Sequence, residues 1–126
     1  MGITFKRKGD WSQTKKGLKK YLKWYTNNKT LFETYGQKGV DALAAATPVD
    51  TGRTANSWYY EVVPINNGVK IEWKNSNKSQ NIPVIYLIEY GHVTRRGGYV
   101  PPRPFIKKTI EPIMQELEDA LGGRMK

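Results

Sequence analysis

The chain has 126 residues, 38% of them hydrophobic and 12% aromatic, with a formal net charge of +10, which fits one folded domain and argues against disorder along its whole length. It contains no cysteine, which excludes disulfides, thiolate metal sites and cysteine nucleophiles. The longest apolar run, Val84-Ile85-Tyr86-Leu87-Ile88, is far short of a membrane span, and the opening Met1–Lys6 lacks the apolar segment of a signal peptide, so neither membrane nor export is expected.

The charge is uneven: residues 1–38 carry a net +8, residues 39–105 a net +2, and residues 106–126 balance. Such a gradient suggests an anionic neighbour for the N-terminal third, either nucleic acid or an acidic protein surface, against the plainer reading of a solvated helix face.

Weak alternation over residues 2–7 predicts a short strand broken by Gly9-Asp10. Asp10 or Ser12 can then cap a helix. Its apolar stripe is read as Leu18, Tyr21, Leu22 and Tyr25, with Lys15, Lys16, Lys19, Lys20 and Lys23 on the other face and Asn27-Asn28 as its end. A second helix is expected over about 30–46. Leu31, Tyr35, Leu43 and Ala46 lie near one face with Phe32 and Val40 beside them, and Gly36 and Gly39 permit close packing or a bend. Pro48 stops this helix.

After the turn Thr47-Pro48-Val49-Asp50-Thr51-Gly52 the pattern changes. Trp58, Tyr60 and Val62 alternate with polar neighbours, as do Val69, Ile71 and Trp73, and Asn66-Asn67-Gly68 between them is a hairpin signal. Residues 75–81 read as a polar loop. Residues 82–90 are ambiguous: aromatic and β-branched content favours a strand, but Pro83 suits a first helical position and Gly91 the place just past a helix end, so a short helix is expected. Residues 91–104 are a long Gly- and Pro-rich connection of the sort that is often functional. A final helix over about 104–121 buries Phe105, Ile110, Ile113, Leu117 and Leu121, with a kink expected at Pro112.

Few groups offer chemistry. His92 is the one histidine; beside Arg95 and Arg96 its charged form is disfavoured, and a plain loop role is expected. Asp50 and Glu89 both flank turns and could form a carboxylate pair, but a cap for Asp50 and a structural partner for Glu89 explain them more simply. Arg95-Arg96-Gly97-Gly98 lacks the Lys-Ser/Thr of a phosphate loop. Trp11, Tyr21, Trp24 and Tyr25 interleave with lysines as a base-stacking platform would, although core packing accounts for Tyr21 and Tyr25. No cofactor, metal or catalytic residue is expected.

Three blocks carry a resemblance. Ala44-Ala45-Ala46-Thr47-Pro48-Val49-Asp50-Thr51-Gly52-Arg53, running into Ser57-Trp58, resembles the alanine-rich helix, Pro-Val-Asp-Thr-Gly turn and strand of the tailed-bacteriophage head–tail joining or tail-completion (neck) family. Ile85–His92 resembles that family's aromatic–apolar–Glu–x–Gly segment, with Tyr86, Glu89 and Gly91 at the matching places. Pro102-Arg103-Pro104-Phe105-Ile106 resembles its Pro-Phe lead into the last helix. Order and spacing agree over roughly residues 30–121, which leaves the basic N-terminal segment, residues 1–29, uncovered. Pro101, Pro102 and Pro104 around Arg103 are a departure from the pattern.

The resemblance implies a small α+β protein. On the elements above, that is a small antiparallel sheet (central hairpin at about 56–74) packed with two to three helices, with a long loop at 91–104. It also implies a non-enzymatic structural subunit that forms a homo-oligomeric ring, a hexamer. The ring joins the tail to the head connector or completes the tail end in the virion neck, and is assembled in the bacterial host cytoplasm. Expected partners are head-connector and tail-tube or tail-terminator proteins, with non-specific contact to packaged DNA. Arg95, Arg96, Tyr99 and Arg103 are the expected assembly or channel contacts. The alternatives from other classes are a small basic nucleic-acid-binding module and a small hydrolase built on Asp50 and Glu89.

Overall fold

Alternating apolar residues along three segments build one sheet, and a single long helix covers its inner face. In a computed structural model the described residues are 2–8, 15–48, 52–66, 68–79, 81–93, 96–102 and 104–122. Strand β1 (Gly2–Lys8), helix α1 (Lys15–Ala46), strands β2 (Trp58–Ile65) and β3 (Gly68–Asn75), the short pair β4 (Lys78–Ser79) and β5 (Ile82–Pro83), helix α2 (Val84–Tyr90), the ribbon β6 (His92–Val93) and β7 (Tyr99–Val100), and helix α3 (Ile106–Gly122) follow in chain order. The main sheet has the order β1-β3-β2 and is antiparallel throughout. The fold is α+β with a small antiparallel sheet.

The hairpin β2–β3 forms where the sequence places it, with Trp58 opposite Asn75 and Ile65 opposite Gly68. Trp58, Val69, Ile71 and Trp73 are buried, and Tyr60 and Val62 pack against them. The predicted first strand forms too, and β1 zips along β3 from Gly2–Lys74 to Lys8–Gly68. At that last pair a Cβ on Gly68 would stand 2.0 Å from the Arg7 carbonyl oxygen. The close approach of β1, as much as the turn, therefore requires glycine there.

The two expected N-terminal helices are one: α1 runs unbroken for 32 residues. Asn27-Asn28 does not end it. Asn28 is buried and its side-chain amide donates to the Trp24 carbonyl oxygen at 2.8 Å, one turn back. The helix itself satisfies the group that would otherwise compete with the backbone. The buried face is also rotated from the expected stripe. It comprises Gly17, Tyr21, Trp24, Asn28, Phe32, Gly36, Gly39 and Leu43, while Leu18 and Leu22 are 55% and 52% exposed. The large rings of Tyr21, Trp24 and Phe32 bury more apolar area than the two leucines and set the rotation. Tyr21 also donates to the Ile65 and Gly68 carbonyl oxygens at the hairpin end, at 2.9 and 2.7 Å. Burial pushes its phenol above the ordinary tyrosine value and keeps it a donor.

Gly36 and Gly39 serve packing. Cβ atoms there would meet the Tyr60 ring at 2.4 Å and Trp73 Nε1 at 2.3 Å, and Trp73 Nε1 donates to the Gly36 carbonyl oxygen at 2.8 Å. Helix α3 packs on α1 and β1 and buries Ile106, Ile110, Ile113, Leu117 and Leu121. It continues through Pro112, where Pro112 and Lys108 are both exposed, so water can reach the carbonyl that the proline leaves unbonded. Ion pairs Arg7–Glu118 and Lys38–Glu116 tie its outer side to β1 and α1.

Candidate assembly surface

All three blocks that carry the resemblance meet at the C-terminal end of α1. Helix α1 stops at Thr47, which is buried. Its backbone N–H and hydroxyl both donate to the Leu43 carbonyl oxygen, at 2.9 and 2.6 Å. The Thr47 hydroxyl then accepts from Trp58 Nε1 at 2.8 Å, so the first block's strand is locked to its own helix. The Trp58 ring meets Phe105 edge-on at a centroid distance of 6.5 Å, which brings in the third block. Glu89, from the second block, accepts hydrogen bonds from the Phe105 and Ile106 backbone N–H groups at 2.7 and 3.0 Å.

That last contact is a helix cap supplied from a distance. The first N–H groups of a helix lack internal partners, and Phe105, at the cap position, offers no side-chain oxygen to take them. A carboxylate there also answers the positive end of the helix dipole. The structural partner expected for Glu89 is thus the start of α3. Asp50 and Thr51 lie outside the described residues, so the Asp50–Glu89 pairing is untested.

Gly91 follows. It takes φ +75°, and a Cβ on it would stand 2.6 Å from the Val100 carbonyl oxygen, so only glycine makes this turn into the ribbon. Helix α2 begins at Val84 with Pro83 as the residue before it, one place earlier in the helix than expected. The connection 91–104 is not wholly a loop, because His92 pairs with Val100 and Val93 with Tyr99. The polar segment after β3 is also tied down. Asn75 is buried and donates to the Thr54 carbonyl oxygen at 2.8 Å, Asn77 donates to the Thr54 hydroxyl at 2.8 Å, and Val84 N–H donates to the Asn77 carbonyl oxygen at 3.0 Å.

On this anchored frame stand exposed apolar side chains. Tyr86 and Tyr90 lie one turn apart on the outer side of α2 with ring centroids 5.8 Å apart. Tyr90, Val93 and Tyr99 are 61%, 71% and 65% exposed, and Val93 and Tyr99 face each other across the ribbon. Arg96 is exposed at the ribbon's turn. Of the expected contact residues, Arg96 and Tyr99 therefore stand at the surface, while Arg95 and Arg103 lie outside the described residues, as does the His92 side chain. In the Pro48–Gly52 turn, Pro48 is half-buried and Gly52 takes φ +82° with its carbonyl oxygen accepting from Asn56 N–H at 3.0 Å. The exposed pairing of Tyr90 with Tyr86 was not legible in the sequence, although their spacing of four on a short helix is the signal that could have found it.

The described residues contain no group of three or more His, Asp or Glu side chains able to hold a metal. No described helix is long and apolar enough to cross a membrane. Two depressions, one along Thr30–Asp41 of α1 and one between β1 and α3, are shallow and open. The stacking-platform reading of the first helix fails for two of its members, since Tyr21 and Trp24 are buried; Trp11 lies outside the described residues. Comparisons with protein families, with curated proteins and with solved structures give no match.

Proposed function

We propose that the chain is a structural ring subunit of the neck of a tailed bacteriophage or prophage, where it joins the tail to the head connector or completes the tail end. The observation that carries the reading is the exposed aromatic face of α2 and the β6–β7 ribbon, held on a frame made by the three motif blocks. Tyrosines on a rigid support bury large area at small entropic cost, which is what a subunit contact requires. A monomer that kept Tyr86, Tyr90, Val93 and Tyr99 in water would gain nothing from them. In this reading the face docks on a second copy, and repetition of that head-to-tail contact closes a ring. In this reading Arg95, Arg96 and Arg103 serve contacts with neighbouring neck proteins or the channel.

The test is particle joining. The triple variant Tyr86→Ser, Tyr90→Ser, Tyr99→Ser should fold, yet leave full heads and tails unjoined in lysates examined by electron microscopy. Joined, infectious particles would refute the reading. Genes for portal, capsid and tail-tube proteins beside the chain's own gene are expected, and their absence would count heavily against it.

A further inference from the structure

Lysines crowd the one end of α1 where a helix least favours them. A helix N-terminus carries roughly half a positive charge, so cations in the first turns are unfavourable and carboxylates favourable. The first turn of α1 holds no acidic residue. Lys15, Lys16, Lys19, Lys20 and Lys23 are all exposed, and the first carboxylate on the helix is Glu33. Arg7, Lys38, Lys70, Lys74 and Lys107 each have a carboxylate partner, whereas Lys6, Lys8, Lys29, Lys78 and Lys108 have none among the described residues. Among the described residues none of the five N-terminal lysines has one. What sets these five apart is their density along one exposed helix face, with no carboxylate partner among the described residues, and such a patch is a surface for an anionic partner.

The arrangement indicates what that is. Lys15, Lys19 and Lys23 form one row along the helix, and Lys16 and Lys20 a second beside it. The first row spans about 12 Å at 1.5 Å per residue. The first row lies away from the buried face of Gly17, Tyr21, Trp24 and Asn28, and the second borders it, since Trp24 and Asn28 continue the spacing of Lys16 and Lys20. The exposed Leu18 and Leu22 flank the first row on the side away from the second, so the charged strip is edged by two leucines. It contains no arginine to grip a carboxylate with two parallel bonds, and lysine ammoniums act as mobile point charges. Such a convex strip reads charge density rather than shape. A duplex offers it, with one phosphate charge per about 1.7 Å of axis.

We propose that the lysine rows of the first turns of α1 are a sequence-independent binding surface for the phosphate backbone of duplex DNA. The surface is separate from the tyrosine face. Tyr21 is tied to the hairpin turn, whereas Thr47 and Trp58 mark the opposite end of α1, roughly 38 Å away by helix rise.

The test measures binding of a fluorescent 20-base-pair duplex of random sequence to the full chain across a salt series, with poly-glutamate as competitor. Lys15→Gln, Lys19→Gln, Lys23→Gln is compared with a charge-matched control, Lys78→Gln, Lys107→Gln, Lys108→Gln. The first triple should lower affinity at least tenfold at low salt and flatten the salt slope by about 0.9 per lysine removed, with little change in the control. Equal losses in both triples, no duplex binding by the unaltered chain at low salt, or stronger competition by poly-glutamate than by unlabelled duplex of equal charge would each overturn the proposal. None of these outcomes bears on particle joining, which the tyrosine variant reads separately.

Discussion

At Gly39 one added methyl group would press into the Trp73 indole, 2.3 Å from its nitrogen. Trp73 is fully buried and hydrogen-bonded to the neighbouring turn of α1, so it has nowhere to go. Gly39→Ala should therefore destabilise the fold by about 1–3 kcal/mol, despite alanine's better helix propensity; a denaturant midpoint at or above that of the unaltered chain would contradict this packing. Glu89 makes a second prediction. Glu89→Ala leaves two backbone N–H groups at the start of α3 without their acceptor and should cost about 1–3 kcal/mol, while Glu89→Gln, which keeps one acceptor oxygen, should recover part of the loss. A third concerns pH. The hydrogen-bonded Lys70 ammonium, with Lys74 also nearby, holds the Glu72 carboxyl below the ordinary glutamate value. A lowered carboxyl contributes stability above the ordinary value and loses it as pH falls through the folded one. Lys70→Ala should accordingly raise the Glu72 midpoint seen by NMR titration; an unmoved midpoint would remove Lys70 as the cause. The sequence marked Gly36, Gly39 and Glu89 as places of interest, but their partners stand 24, 34 and 16 residues away, and only the fold brings them together.

The elements divide by how local their signals are. The β2–β3 hairpin was legible because alternation and turn chemistry agree within one short stretch. The apolar face of α3 was legible because its period is sustained from Phe105 to Leu121. Helix α1 was misread in two ways. An asparagine pair was given the force of a terminator, although Asn28 is accommodated by its own bond to the Trp24 carbonyl, and propensity alone is a weak guide inside a tertiary structure. A four-residue stripe was read as the core face, although the sheet selects the face carrying Tyr21, Trp24 and Phe32. The ribbon inside 91–104 carries too few residues for any periodicity to show. The long helix makes its own prediction. Lys15→Glu with Lys16→Glu should raise the melting temperature, because carboxylates replace cations at the positive helix end, while the same change weakens duplex binding. A lowered melting temperature would mean that those lysines already have compensation within the fold.

Across the whole molecule, two surfaces occupy opposite ends of α1. One end holds the lysines that have no carboxylate partner among the described residues. The other holds the tyrosine face, supported by Thr47, Trp58, Glu89 and Phe105 from the three motif blocks. The sequence showed the blocks and their order but not their convergence, which depends on α3 returning to the end of α1 where it is capped by α2. It also directed attention to the arginines of the 91–104 segment, whereas the exposed apolar area lies as much on α2. The proposed ring requires this face to dock on a second copy. Because the chain has no cysteine, a single cysteine can carry a photo-crosslinker without interference, placed at Tyr90→Cys or, as a control on the exposed side of α1, at Thr34→Cys. The deciding measurement is the crosslinking pattern in assembled particles. A ladder of covalent multiples of this chain is expected from position 90, ending at the ring size, and none from position 34. Crosslinks from position 90 to other proteins alone, or the same ladder from both positions, would contradict it.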